Sequence, residues 1–186
     1  MKLAQTIQTP RLNLQLLTAA DLPTLFTLWS DPQVTHFMNI SPMQSIAEVR
    51  QMVDMFAQAR VGDSAIRYGI WRQHQLIGTC GYNEINWQLQ RAEIGYELQA
   101  TAWGQGLGSE LVGALVRDAF EHLALQRLEA YVLPDNIASG LVLQHNHFQK
   151  EGRLRHYEQT DNGFSDIDLY SCIDGIDIGG KKSDHD

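Results

Sequence analysis

The stretch from 92 to 133 constrains the fold more than any other. AEIGYEL at 92–98 is short and rich in β-branched and aromatic residues, as a strand requires. After it, Leu107, Leu111, Val112, Leu115, Val116, Ala119 and Leu123 recur near every 3.6 residues over four turns, and RLEAYVL at 127–133 reads as a buried strand. Strand, one-sided helix and strand in that order form a β-α-β unit, whose helix must cover the sheet that the two strands share.

The rest of the chain builds on this unit. Leu12, Leu14 and Leu16 alternate as a first strand. Thr18-Ala-Ala-Asp21 resembles a capping box opening a helix through Leu25, Leu28 and Trp29, with Asp31-Pro32 as its stop. Ser45-Ile-Ala-Glu48 is a second box, and Val49, Met52, Val53 and Phe56 keep helical spacing as far as Arg60. IRYGIWR at 66–72 and LIGTCGYN at 76–83 lead into 92–98 as an antiparallel meander. A short helix is expected over 137–146, and strands near 148–158 and 164–172 surround the turn Asp161-Asn162-Gly163. The expectation is an α+β single domain over 1–173: a central mixed, mostly antiparallel sheet of six to seven strands, flanked by about four helices, with a polar tail at 174–186. At 186 residues, 44% apolar and 19% charged, the chain suits one such core.

Between strand 92–98 and the helix lies Trp103-Gly104-Gln105-Gly106-Leu107-Gly108-Ser109. Alternating glycines let a ligand approach the backbone, and the first N–H groups of the helix point at it with the positive end of the dipole, so the segment reads as an anion cradle. A dinucleotide fingerprint fails, because counting six from Gly104 reaches Ser109 and from Gly106 reaches Leu111. The Walker-like run from Gly175 to Lys181 fails as well, because Lys182 stands where Ser or Thr is needed.

Charge and cysteine usage narrow the class. A net charge of −8 repels a polyphosphate backbone, so no nucleic-acid partner is expected. No apolar run is long enough to span a bilayer and the opening residues lack a secretory pattern, so no membrane partner and a cytoplasmic location are expected. Cys80 and Cys172 read as reduced core thiols. His145 and His147 stand two apart with no metal-binding motif around them, so no metal is expected. Trp87 and Leu89, apolar in the connection 83–91, either mark a homodimer surface or cover the sheet.

Trp103-Gly-Gln-Gly-Leu-Gly108 after Ala92-Glu-Ile-Gly-Tyr-Glu97, followed by Asn136-Ile-Ala-Ser139 after a strand, resembles the GNAT superfamily of N-acetyltransferases. The opening TPRLNLQLL, SDPQV at 30–34 and DIDLYS at 166–171 resemble in particular its ribosomal-protein (RimJ/RimL-like) group, over about residues 8–173. The resemblance implies acetyl-CoA as donor, with pyrophosphate on the amides of Gln105, Gly106, Gly108 and Ser109. It adds Leu98, Leu107, Asn136 and Ser139 to the cofactor-binding set and places pantetheine between splayed strands 92–98 and 127–133. Asn136 is alternatively a plain helix cap. The family's thiolate-protonating Tyr, seven residues after that Asn, is here Leu143.

Acetyl transfer to an amine needs a base for the amine, a donor for the oxyanion and an acid for the thiolate. By resemblance Ser139 is the candidate acid and Glu158 the candidate base. Glu93 is a second candidate base on residue type and placement: by alternation it shares one face of its strand with Gly95 and Glu97, opposite Ile94 and Tyr96. Both glutamates are alternatively solvated surface residues. The expected function is direct acetyl transfer to a primary amine, a protein N-terminal α-amine of the ribosomal-protein kind. The alternatives are a small amine such as a polyamine, amino acid or aminoglycoside, and a non-catalytic acyl-CoA-binding module.

Overall fold

The computed structural model describes residues 3–38, 40–160 and 163–175. Asp161 and Asn162 of the expected turn, and the polar tail after Gly175, lie outside the described residues.

Among the described residues eight strands form one sheet: β1 (Thr6–Gln8), β2 (Asn13–Leu16), β3 (Ile66–Arg72), β4 (Gln75–Asn86), β5 (Arg91–Leu98), β6 (Arg127–Val132), β7 (Gln149–Thr160) and β8 (Gly163–Ile173). Their spatial order is β1-β2-β3-β4-β5-β6-β8-β7, antiparallel throughout except for the parallel pair β5–β6. The sheet exceeds the expected six to seven strands because three-residue β1 pairs with β2 across Thr9–Leu12, too short a segment to show alternation.

Five helices flank the sheet among the described residues, one more than expected. They are α1 (Leu22–Trp29), α2 (Pro32–Thr35), α3 (Ile46–Val61), α4 (Leu107–Arg117) and α5 (Ile137–His145). Both capping boxes form: the Asp21 carboxylate accepts from Thr18 N–H at 2.7 Å, and Ser45 Oγ accepts from Glu48 N–H at 3.3 Å. Asp31-Pro32 ends α1 as read but also starts a helix. The Asp31 side chain accepts from Gln33 N–H at 2.9 Å, and Pro32 is tolerated in the first turn of α2.

Two apolar cores separate the faces of the sheet. On one, α4 buries Leu107, Leu111, Val112 and Leu115 against Tyr68, Cys80, Tyr82, Ile94 and Leu128, and Leu143 of α5 joins them. Each such aliphatic side chain contributes roughly 1.5–3 kcal/mol. On the other, Leu25, Leu28 and Trp29 of α1 pack with Val49 of α3 and Leu76. The 3.6-residue repeat expected through Leu123 is regular only to Arg117. A wider turn over Asp118–His122 follows, with Asp118 held by the buried Tyr82 hydroxyl at 2.9 Å. Cys80 and Cys172 are free and buried, as read. Trp87 covers the sheet, its indole N–H donating to Asp63 O at 2.6 Å, while Leu89 is exposed. No helix among the described residues is long and apolar enough to cross a membrane.

Candidate active site

The β5–β6 pair holds only from Arg91 to Glu93 against Arg127 to Glu129. From Ile94 and Ala130 onward the strands part, and the wedge between them is a slot through the sheet. Two clefts meet there. One, of about 410 Å³, is lined by the β5–α4 connection and the first turns of α5. The other, of about 320 Å³, is walled by residues of α1 and α3 and by the segment after α2. Phe37, Met38, Tyr96, Glu97, Asn136 and Ser139 line both.

The first cleft contains the anion cradle. Gly104 and Gly106 adopt φ of 70° and 71°, a left-handed conformation that strains any residue with a Cβ, and Gly106 caps α4. The N–H groups of Leu107, Gly108 and Ser109 in the first turn of α4 therefore have no acceptor within the helix. Trp103 pins the loop by donating its indole N–H to Leu98 O at 2.8 Å. A Cβ on Gly108 would stand 3.3 Å from Val142 of α5, so glycine there also keeps α4 close to α5.

Leu98, Gly106, Leu107, Gly108, Ser109, Asn136 and Ser139 all line this cleft. Gln105 does not. Its side chain donates to Thr101 O and accepts from Arg72 at 2.7 Å, while its carbonyl accepts from Arg11 at 2.9 Å. Arg11 and Arg72, which sequence reasoning passed over, thus bring two guanidinium groups to the cradle loop. Arg11 also holds Glu110 of α4 at 2.5 Å. Burial raises the Glu110 carboxyl, but its bonds from Thr9 and Arg11 outweigh that and keep it below the ordinary range. Asn136 caps α5, accepting from Ser139 N–H at 3.1 Å, so its cap reading is realised.

The second cleft has an apolar wall of Trp29, Phe37, Met38, Ile40, Met52 and Phe56, and a polar floor. Glu97 is buried there and receives hydrogen bonds from the Trp29 indole at 3.0 Å, the Thr79 hydroxyl and the Arg67 guanidinium. Arg67 also donates to Thr79 at 2.7 Å and to Asn83 Oδ1 at 3.0 Å, and Asn83 Nδ2 donates to Glu93 at 2.7 Å. Gly95 is what allows this chain to cross β5, since a Cβ there would fall 2.5 Å from Asn83 Nδ2. Burial raises the Glu93 carboxyl. The Asn83 bond opposes this, and the charges of Glu84, Glu129 and Glu158 reinforce it.

Glu158 reaches the same cleft by a different route. Leu154 pairs with Ile167 and Glu158 with Ser165, so residues 155–157 of β7 bulge opposite Asp166 alone. His156 takes φ of 49° at the bulge, and its N–H is held by the Asp166 carboxylate at 2.9 Å. Tyr157 stacks on Tyr131 at 5.5 Å, and Glu158 and Tyr131 both line the cleft. The structure thus brings Glu93, Glu158 and Ser139 to one cavity.

Alternation along β5 is as expected, and it places the two faces on different tasks. Glu93 and Glu97 serve the α1–α3 side. Tyr96 serves the α5 side, its hydroxyl 2.8 Å from Ser139 Oγ. Leu143 is fully buried and packs in the core. Arg67, Asn83 and Tyr96 were not singled out from sequence; Tyr96 was legible only as a residue on the opposite face from Glu93.

Comparison with known proteins agrees with this geometry. Residues 11–149 match the acetyltransferase (GNAT) domain model. The chain belongs to the GNAT acetyltransferase family. It is 39% identical over 171 residues to an uncharacterized N-acetyltransferase, p20, of Bacillus licheniformis, covering 91% of this chain and 96% of that one. It is 30% identical over 131 residues to the ribosomal-protein-serine acetyltransferase of Escherichia coli, covering 70% and 73%. Among solved structures it is similar to RimL, a ribosomal-protein α-N-acetyltransferase in complex with coenzyme A, with a TM-score of 0.83 at 25% identity, covering 90% of this chain and 97% of that one. This GNAT chain is therefore an acetyl-CoA-dependent acetyltransferase of the N-acetyltransferase kind, and RimJ/RimL-like.

Proposed function

We propose that this acetyltransferase moves acetyl directly to the α-amine of a protein N-terminus, with acetyl-CoA in the α4–α5 cleft and the amine entering from the α1–α3 side. The observation that carries this reading is the slot at β5–β6, with carboxylates on one side and a hydroxyl pair on the other.

The residues present fit acetyl-CoA. The left-handed glycines and first-turn N–H groups of α4 suit its pyrophosphate, with Arg72 adding positive charge beside the loop. The apolar slot between β5 and β6 suits an extended pantetheine arm. Once bound, acetyl-CoA supplies an activated carbonyl carbon and a thiolate leaving group.

The protein's part is acid–base and positional. Glu93 and Glu158 attract an ammonium group and take its proton, either one of them acting as the base. An α-amine titrates near 7.7–8.0, within reach of a carboxylate whose own pKa is raised, whereas a lysine-like amine near 10.4 asks more of it. Glu97 is committed to its hydrogen bonds from Trp29, Thr79 and Arg67. Ser139 donates to the departing sulfur. The apolar wall excludes water from the reacting groups. Both buried cysteines are pushed up by burial, Cys172 to about 11 and Cys80 further, which speaks against an acetyl-cysteine intermediate.

The test is thiol release from acetyl-CoA against two panels, peptides with free N-termini including ribosomal-protein starts, and small amines including polyamines and amino acids. Turnover confined to peptides supports the proposal. Turnover confined to small amines overturns it in favour of a metabolite acetyltransferase, and silence with both, with acetyl-CoA bound, in favour of a non-catalytic module.

A further inference from the structure

Ser139 lies in the first turn of α5, where Asn136 Oδ1 holds its N–H at 3.1 Å. This fixes the backbone but leaves the hydroxyl rotor undetermined, and a serine hydroxyl can turn its proton in several directions. Only when that proton points into the slot can it meet a leaving sulfur. Tyr96 supplies a partner for it, and either hydroxyl of the pair can donate, the Tyr96 hydroxyl also standing 3.4 Å from the Ser139 carbonyl oxygen. It rises from the splayed part of β5, lines both clefts, and brings its hydroxyl to 2.8 Å from Ser139 Oγ. Its ring is packed on the apolar core of the α4–α5 face, which fixes where that hydroxyl stands.

We propose that Tyr96 is a positioning residue for thiolate departure: its O–H donates to Ser139 Oγ and so turns the serine proton toward the sulfur of CoA. The alternative direction, Ser139 donating to Tyr96, would spend the serine proton within the protein. A donor that itself accepts a hydrogen bond is strengthened by it, so the pair stabilises a thiolate more than Ser139 alone. The thiolate leaves with the electron pair of its broken bond to carbon, and neither hydroxyl needs to give up its proton. Burial, eased by the bond to Ser139, raises the Tyr96 phenol to about 12, so it stays a donor across the working pH range. A hydroxyl contributed by β5 thus serves where Leu143 offers none.

This inference rests on the acetyl-CoA reading but not on the identity of the amine, and its test uses no amine. The thiol of CoA bound to the enzyme is titrated by thiolate absorbance, with free protein subtracted. Free CoA titrated in the same buffer is the reference, and the bound thiol is expected below its value. Tyr96→Phe and Ser139→Ala should each raise it, by roughly one pH unit, and the double variant no further than Ser139→Ala alone. Tyr96→3-fluorotyrosine, which keeps the shape of the side chain and makes the phenol a stronger donor, should move it down. A Tyr96→Phe complex titrating like wild type, or loss in the double variant equal to the sum of the singles, would overturn the proposal. CoA dissociation constants are measured alongside. CoA that fails to bind the wild-type chain would overturn both this inference and the acetyl-CoA reading, while a silent peptide panel would touch only the acceptor.

Discussion

Removing Arg67 would strip the floor of the α1–α3 cleft of its cation. The Arg67 and Glu97 side chains are 8% and 6% exposed, so the pair is desolvated, and the guanidinium also serves Thr79 and Asn83. In Arg67→Met the aliphatic volume is kept while the Glu97 carboxylate stays buried with two donors, Trp29 and Thr79. Breaking a buried pair from one side costs about 3–5 kcal/mol, and the two remaining donors place this case at about 3. For a chain of this size that lowers the melting temperature by roughly 6–12 °C, read by thermal or urea unfolding at neutral pH. The decisive arm is Glu97→Gln in the Arg67→Met background. It removes the orphaned charge while keeping an oxygen for Trp29 and Thr79, and should recover at least half of the loss. A single-variant cost below about 1 kcal/mol, the range of exposed pairs, would refute the argument, as would a double variant less stable than Arg67→Met.

Other expectations follow from the same geometry. With Glu93 as base, burial and its carboxylate neighbours place the acid limb of kcat/KM above the ordinary glutamate range near 4.3, and Glu158→Gln, by removing one repelling charge, should shift that limb to lower pH. An acid limb that Glu158→Gln abolishes, with kcat collapsing as well, would make Glu158 the base. Because the folded-state pKa of Glu93 is raised, its contribution to stability is present below the unfolded value and lost as pH rises through the folded one. Glu93→Gln should therefore be more stable than wild type at pH 7 by urea unfolding while less active. Gly106→Ala should weaken acetyl-CoA binding about tenfold and cost about 1 kcal/mol in stability, since φ of 71° is strained for a residue with a Cβ. Calorimetry and unfolding check the two halves separately, and unchanged affinity would remove the cradle from the cofactor site. Intact-protein mass spectrometry during a single turnover should show no acetyl adduct, and thiol reagents at pH 8 should label Cys80 only on unfolding.

What was legible from sequence was what short-range periodicity encodes. The one-sided repeat from Leu107 as far as Arg117, the two capping boxes and the glycine loop before α4 each depend on residues within a turn or two of one another and formed as read, while the repeat expected on to Leu123 gave way to a wider turn. What escaped depends on cross-strand register or on bulges. β1 is too short to alternate, and Asp31-Pro32 serves as both stop and start. The cleft-ward turn of Glu158 comes from two extra residues in β7, invisible until β8 is laid beside it. The Arg67–Asn83–Glu93 chain joins positions from three adjacent strands, β3, β4 and β5, that register alone brings together.

Tyr96 and Leu143 make the same point about chemistry. A spacing rule asks for a hydroxyl seven residues after Asn136, but the sulfur of a bound thioester is a point in space that several elements can reach. α5 turns position 143 into the core with no exposed surface, so a hydroxyl there would be buried among apolar groups and cost stability. β5 reaches the slot from the other side, because the strands have already parted when the chain arrives at residue 96. The splay proposed to take pantetheine therefore also frees a strand residue to face α5. A tyrosine on the same strand at residue 92, where β5 still pairs with β6 and the side chain is buried, would have no slot to enter.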